Sequence, residues 1–386
     1  MNFDPLAAAQ AIVPGLRATA ADSEARRQLS ADAAGLLRTS GLMRLMTPRR
    51  YGGHELPPRA QILTCAITAK GCSAASWVQM VCGAHTFIVG RFPRQCQDEV
   101  FGEDPDVFIP GTPAAQGTVA PVAGGWLLNG RWQFCSGVDH GPWLIMGARG
   151  VASDAGEQAP NLEVVVPASD MRIVDTWHVL GMRGTGSKDI VAENVFVPRH
   201  RAAPLEHAML GTMPDVDRPL YRLPIGVTLA SMLTGSVLGI AEQGLELFLA
   251  HTQARRDRYV GGQKAVKPAV QMRLAEAAGE IALARSLVER NCAELDAAMT
   301  RDEPPMHVTE RGQLRWNMAH AAELCRRAIE RLYAGAGANA AFDANELQRI
   351  YRDINTAVHH AIVDFDTLAE VRGRLLLGYD EGYGLV

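Results

Sequence analysis

DTWHVLGMRGTGSKDIVAENVFVP, Asp175 to Pro198, joins a glycine-rich turn to a strand-like run. Gly181, Gly184 and Gly186 break any helical or strand pattern, whereas DIVAENVFVP is rich in β-branched and aromatic residues and stops at a proline. Upstream, LIMGAR, LEVVVP and MRIVDTW are further apolar runs separated by Gly, Pro, Ser and Asp, so a β unit is expected over 108–204. WLLNGRWQF, Trp126 to Phe134, sets bulky residues on both sides of Asn129-Gly130. Both turn residues tolerate positive φ, which predicts a tight hairpin there.

The flanking sequence reads as helix. In the first stretch, 1–107, Ser30 is placed to cap ADAAGLLRTSGL, and Ser73 or Ser76 to cap WVQMVCGAHTFIVGRF. In the last, 205–386, apolar residues recur three or four apart in three stripes. One runs Val270, Leu274, Ala278, Ile281, Val288, Cys292, Leu295, Met299; another Leu314, Met318, Ala321, Leu324, Ala328, Leu332; the third Leu347, Ile350, Ile354, Val358, Ile362, Phe365. Such stripes pack as an antiparallel four-helix bundle. The chain therefore reads as α+β: a helical domain, a β domain, then a helical bundle.

Size and composition narrow the function. The 386 residues are enough for two or three units sharing a large core. A net charge of −4, with no block of like charge, argues against a nucleic-acid partner. Seven cysteines without a C-x-x-C pair suggest reduced thiols in a cytoplasmic protein, and the N-terminus shows no signal-peptide pattern. Leu223 to Ala241 is uncharged, but its Gly, Ser and Thr content suits a central helix packed by protein rather than a membrane span. There is no G-x-S-x-G elbow, and the adjacent His359-His360 pair lacks metal-ligand spacing. GAGANA, Gly335 to Ala340, fits the dinucleotide fingerprint only formally. It follows an amphipathic helix, not a buried strand, and reads as an interhelix loop.

Four segments occur in a telling order: GRWQFCSGVDHGPW (Gly130 to Trp143), the opening stretch, RRDRYVGGQKAVKPAVQMRLAE (Arg255 to Glu276) and AGAGANAAFDANELQRIYRD (Ala334 to Asp353). Together they resemble the acyl-CoA dehydrogenase fold over nearly the whole chain, with the middle domain built as a β-barrel-like unit. Within that fold the chain resembles the two-component flavin monooxygenases, including hydroxyphenylacetate and secosteroid hydroxylases and dibenzothiophene monooxygenase. The resemblance implies a homotetrameric oxygenase component that takes reduced FMN, or FAD, from a separate NAD(P)H-dependent flavin reductase. It implies that O2 reacts to a C4a-hydroperoxide, which hydroxylates an aromatic or electron-rich small molecule; N- or S-oxygenation belongs to the same fold.

The alternative reading is an FAD-dependent acyl-CoA, or acyl-carrier, dehydrogenase. That chemistry needs a carboxylate base, and the position where the resemblance puts a glutamate is Ala361, whose methyl group cannot accept a proton. Glu242 and Glu246 are the candidates if the base sits on an earlier helix. For the monooxygenase reading the resemblance implies catalytic roles for His85, Ser136 and one of His359 and His360. It implies flavin contacts from Phe134, Ser136, Trp177, Arg183, Thr185, Ser187 and Arg258, with Arg255 and Arg256 as competitors of Arg258. The loop at Gly337-Ala338-Asn339-Ala340 departs from the G-G-N-G-like pattern that contacts adenine, which favours FMN over FAD.

Overall fold

Local capping sets the first helices. The Asp4 carboxylate accepts from the N–H groups of Leu6 and Ala7 at 3.0 and 3.1 Å, and Pro5 opens α1 (Pro5–Arg26). Arg27 ends it in the left-handed region, φ 56°. Ser30 caps α2 (Ala31–Thr39) as expected, its hydroxyl accepting from Ala33 N–H at 3.2 Å. The computed structural model describes residues 3–152, 156–212, 218–254, 256, 261–301 and 306–379, with residue 208 by backbone alone. Arg255 and Arg258 lie outside the described residues.

α3 (Pro58–Ala69) and α4 (Ser73–Val89) form a tight pair, followed by α5 (Arg94–Phe101). The cap of α4 differs from expectation: Cys72 occupies it, and neither Ser73 nor Ser76 does. The Ser76 hydroxyl is drawn into tertiary contacts instead, donating to the Cys65 carbonyl at 2.7 Å while its oxygen lies 2.8 Å from Ser236 Oγ. A capping side chain competes with tertiary partners for the same hydroxyl, and here the tertiary partners prevail.

The middle of the chain forms one seven-stranded mixed sheet in the order β5-β6-β2-β1-β3-β4-β7. Its strands are β1 (Gly111–Val122), β2 (Gly125–Cys135), β3 (Trp143–Gly150), β4 (Leu162–Pro167), β5 (Arg172–Val174), β6 (Lys188–Pro198) and β7 (Ala202–Pro204). The pairs are antiparallel except β1 with β3. The hairpin expected at Asn129-Gly130 is not there: both residues lie inside β2, and the β1–β2 turn falls at Ala123-Gly124. A register shift between Leu128 and Gly130 explains the misleading pair, because the strand bulges where the two residues sit. Asn129 Oδ1 accepts from Asn194 N–H at 2.7 Å and so joins β2 to β6 across that irregularity.

After α6 (Leu205–Leu210) come the long helices α7 (Ile225–Ala254), α8 (Pro268–Ala298) and α9 (Val308–Ala336), then α10 (Glu346–Ala357) and α11 (Phe365–Leu376). α7 is long and apolar enough to cross a membrane, yet 89% of its most apolar stretch is buried inside the protein. It packs on α3 so closely that a Cβ at Gly239 would stand 2.1 Å from the Ala66 carbonyl oxygen, so glycine there permits the contact. Each Leu, Ile or Val that α7 buries fully contributes roughly 1.5–3 kcal/mol. The third apolar stripe does not continue as one helix. α10 stops at Ala357, and Val358–His360 turn the chain into a short 3-10 helix, Ala361–Val363, before α11. GAGANA spans the end of α9 and the loop beyond it, with Gly337 at φ 76°.

Candidate flavin site

The end of β2 carries the first parts of the site. Phe134 is a non-glycine residue at φ 64° and is 63% exposed, so the strand end holds an aromatic ring against solvent. The Trp177 ring stands edge-on to it, centroids 6.2 Å apart. Immediately beyond, Ser136 is buried and its hydroxyl lies 2.6 Å from that of Ser187, which lies 2.6 Å from Thr185 Oγ1. An exposed aromatic ring with a second ring edge-on to it, beside a row of buried hydroxyls, suits a large amphipathic ring with polar edge atoms, which an isoalloxazine is. The residues present therefore fit a flavin.

Two ion pairs hold this edge in place. Arg27, just past α1, grips Asp175 through two bonds of 2.7 Å and donates to the Trp177 carbonyl at 3.3 Å. The bidentate contact with Arg27 pulls the Asp175 carboxyl down to about 2. Lys188, at the start of β6, donates to Asp139 Oδ1 at 2.7 Å and to Gln28 Oε1 at 2.9 Å. The Asp175–Pro198 stretch is thus tied to the N-terminal domain at Asp175 and, through Gln28, at Lys188.

Trp77 of α4 joins a second element to the cluster. Its indole N–H donates to Ser136 Oγ at 3.3 Å, and its ring meets His360 in a T-shaped contact at 5.9 Å. Of the adjacent pair it is therefore His360, from the break between α10 and α11, that is brought to the Ser136 cluster. His360 retains exposed surface, yet enough protein surrounds its imidazole that desolvation pushes it down to about 4. Its Nδ1 accepts from Ile362 N–H at 3.2 Å, so in the neutral ring Nε2 carries the proton and is a donor.

His85 sits farther along α4, about 12 Å from Trp77 by helix rise. It is 3% exposed, and its Nδ1 lies 2.7 Å from the Ile109 carbonyl. A carbonyl only accepts, so Nδ1 bears the hydrogen and Nε2 is left as an acceptor. Burial pushes this imidazole down to about 4, so it too is neutral at pH 7. The remaining expected contacts are placed unevenly. Arg183 is exposed, its Nε donating to the Val179 carbonyl at 2.8 Å, and the structure gives it no contact with the hydroxyl cluster. Arg256, in an isolated bridge with Gln263, is likewise given no contact with the cluster.

Trp77 was not singled out in the sequence reading, and no spacing marks it; only its tertiary neighbours do. The dehydrogenase bases fare differently. Ala361 begins the 3-10 turn. Asp364 caps α11 by accepting from Thr367 N–H at 2.8 Å, a contact that lowers its carboxyl. Glu242 is ion-paired with Arg285 and, at 3.3 Å, with Lys70, while Glu246 pairs with Lys70 at 2.7 Å. Glu242 and Glu246, the carboxylates expected for a dehydrogenase, are thus both ion-paired, and position 361 carries none.

A family described as "Acyl-CoA dehydrogenase, C-terminal domain" matches residues 231–365. The chain is 31% identical over 359 residues to a flavin-dependent monooxygenase oxygenase subunit from Rhodococcus jostii, spanning 92% of this chain and 93% of that one. It is 31% identical over 376 residues to the oxygenase component of p-hydroxyphenylacetate 3-hydroxylase from Acinetobacter baumannii, spanning 96% and 88%. Among solved structures it is similar to XiaF from a Streptomyces species in complex with FADH2 and glycerol, with a TM-score of 0.91, 29% identity, and coverage of 97% and 95%. Identity of 31% across 92% and 96% of this chain places it in the family of flavin-dependent monooxygenase oxygenase components built on the acyl-CoA dehydrogenase fold.

Proposed function

We propose that this oxygenase component hydroxylates a small phenol or related aromatic compound, using reduced flavin delivered by a separate NAD(P)H-dependent flavin reductase. The observation that carries the reading is the contact chain from His360 through Trp77 to Ser136, beside a position 361 that holds alanine where the resemblance puts a dehydrogenase's base. The p-hydroxyphenylacetate hydroxylase among the relatives supports the substrate class. When bound, reduced flavin supplies the activation of dioxygen.

The chain's own residues supply the rest. Phe134 and Trp177 offer aromatic contacts to the ring, and Ser136, backed by Ser187 and Thr185, offers a hydroxyl to its polar edge. His360, with Nε2–H, is a donor at the rim of the recess. His85, with Nε2 free to accept, takes a hydrogen bond from a phenolic O–H and enriches the ring that is to be oxidised. Trp77 and the apolar walls exclude water, which would otherwise divert oxygen to hydrogen peroxide.

FMN demands less of this chain than FAD, since the Gly337–Ala340 loop is not of the adenine-contacting type. The Streptomyces relative was solved with FADH2, so parallel titrations with both reduced flavins decide between them. A homotetramer in the cytoplasm completes the reading. Exposed Met272 and Leu283 on α8 and Leu376 at the end of α11 support association, and seven unpaired buried cysteines support a reducing compartment.

The test mixes protein and anaerobically reduced flavin with isotopically labelled O2 and a panel of phenols. A product carrying one labelled oxygen atom is expected. Hydrogen peroxide alone across the panel, with flavin reoxidised as fast as when free, would overturn the reading.

A further inference from the structure

The turn that carries Thr185 is held by a side chain from the C-terminal bundle. Met182 precedes the 3-10 turn Arg183–Thr185 and, though not glycine, adopts φ 54°, a region L side chains rarely enter. Both of its backbone polar groups are held. The N–H donates to Asp353 Oδ1 of α10 at 2.6 Å. The carbonyl accepts from Thr185 Oγ1 at 2.9 Å and from the Trp177 indole at 3.2 Å.

Neighbouring contacts make the same junction. Arg352 Nη1 donates to the Leu180 carbonyl at 2.9 Å, and the same guanidinium pairs with Glu24 at 2.5 Å. Gly181 lies so close to α10 that an added Cβ would be 2.0 Å from the Arg352 carbonyl oxygen. Asp353 is 6% exposed and also takes the Ser73 hydroxyl. It touches none of the cluster hydroxyls. Met182 stands between it and Thr185, and Thr185 leads on to Ser187 and Ser136.

We propose that Asp353 is a positioning residue for the flavin site: its carboxylate latches the Met182–Gly186 turn to α10 and so fixes where the hydroxyls of Thr185, Ser187 and Ser136 stand. The inference rests on the Ser136 recess being the flavin site. Burial raises this carboxyl to about 6. The ionisable groups around it are Glu24 of α1, which raises it, Arg349 of its own helix, which lowers it, and Cys72 before α4 and Arg183 of the turn, which line the same notch. A carboxylate accepts an N–H more strongly than a carboxylic acid does. The latch therefore loosens as pH falls through 6.

The experiment is amide hydrogen exchange on the flavin-free protein, followed by anaerobic titration with reduced FMN. Asp353→Ala is expected to speed exchange at 180–187 at least tenfold, with the centres of α7 and α9 unchanged, and to weaken reduced-flavin binding about tenfold. Asp353→Asn keeps the shape and an acceptor oxygen but cannot ionise. Its flavin affinity should change less between pH 7 and pH 5 than that of the native protein, because the titration of FMN's own phosphate is common to both and only the native protein adds that of Asp353. Unchanged exchange at 180–187, uniform acceleration along the chain, or a native-like pH dependence in Asp353→Asn would overturn the latch. Should the native protein fail to bind reduced flavin, the site assignment falls instead, and exchange in the flavin-free protein still decides the latch.

Discussion

His85 and His360 are both neutral imidazoles pushed down to about 4, yet their surroundings leave them opposite in hydrogen-bonding capacity. His85 belongs to the unbroken helix α4 and spends its Nδ1–H on the Ile109 carbonyl, which leaves an acceptor at Nε2. His360 belongs to a break between helices and spends its Nδ1 lone pair on Ile362 N–H, which leaves a donor at Nε2. One backbone partner, a carbonyl in the first case and an amide in the second, selects the tautomer and with it the chemistry each ring can do. A pKa alone would have called them equivalent.

The strongest way to break this comparison is His85→Asn, which keeps a donor for the Ile109 carbonyl and removes the acceptor. Product formation should fall about a hundredfold while reduced-flavin binding is retained; a parallel loss of both would make His85 structural. The same variant tests the acid response. Because the folded-state pKa of His85 is depressed below its unfolded value, its contribution to stability is complete above pH 6.5 and is lost as pH falls toward 4. With a shift to about 4, that loss is on the order of 3 kcal/mol. Urea titrations at pH 7 and pH 4.5 should show a smaller acid penalty in His85→Asn than in the native chain.

His360→Asn sharpens the other side, since the Asn oxygen can still accept from Ile362 N–H while the Nε2 donor disappears. About a tenfold rise in hydrogen peroxide relative to product is expected, with His359→Asn unchanged. Equal effects at both positions would cancel the distinction between the two histidines. Smaller again is Ser136→Ala, which leaves the Trp77 indole and Ser187 each short of a partner. Coupling of oxygen use to product should fall roughly threefold, about the worth of one hydrogen bond. Unchanged coupling would remove Ser136 from the flavin edge.

Much of this was legible because it is local. The Ser30 cap and the apolar stripes of α8 and α9 are decided by near neighbours in sequence, whereas Ser136 is marked only by resemblance to the family. What was not legible depends on distant partners. Asn129-Gly130 carries a hairpin signal, but the strand β6 beside it turns the pair into a bulge. The stripe through Ile354, Val358 and Ile362 keeps its spacing across the break after Ala357, so periodicity could not see the break. Nor could it choose between His359 and His360, because the choice is made by Trp77, hundreds of residues earlier. Asp353 served only to align the chain with its relatives, and its bond to Met182 has no signature at all in one dimension.

The break after Ala357 also bears on how far apart two enzymes can be when they share a scaffold. Restoring a glutamate at position 361 would hang it from a 3-10 turn capped by His360, not from the flank of a continuous helix. Such a side chain would start from a different origin and direction than one carried on an extended α10. On this chain the direction of any side chain at position 361 is therefore set by the 3-10 turn and its His360 cap rather than by α10.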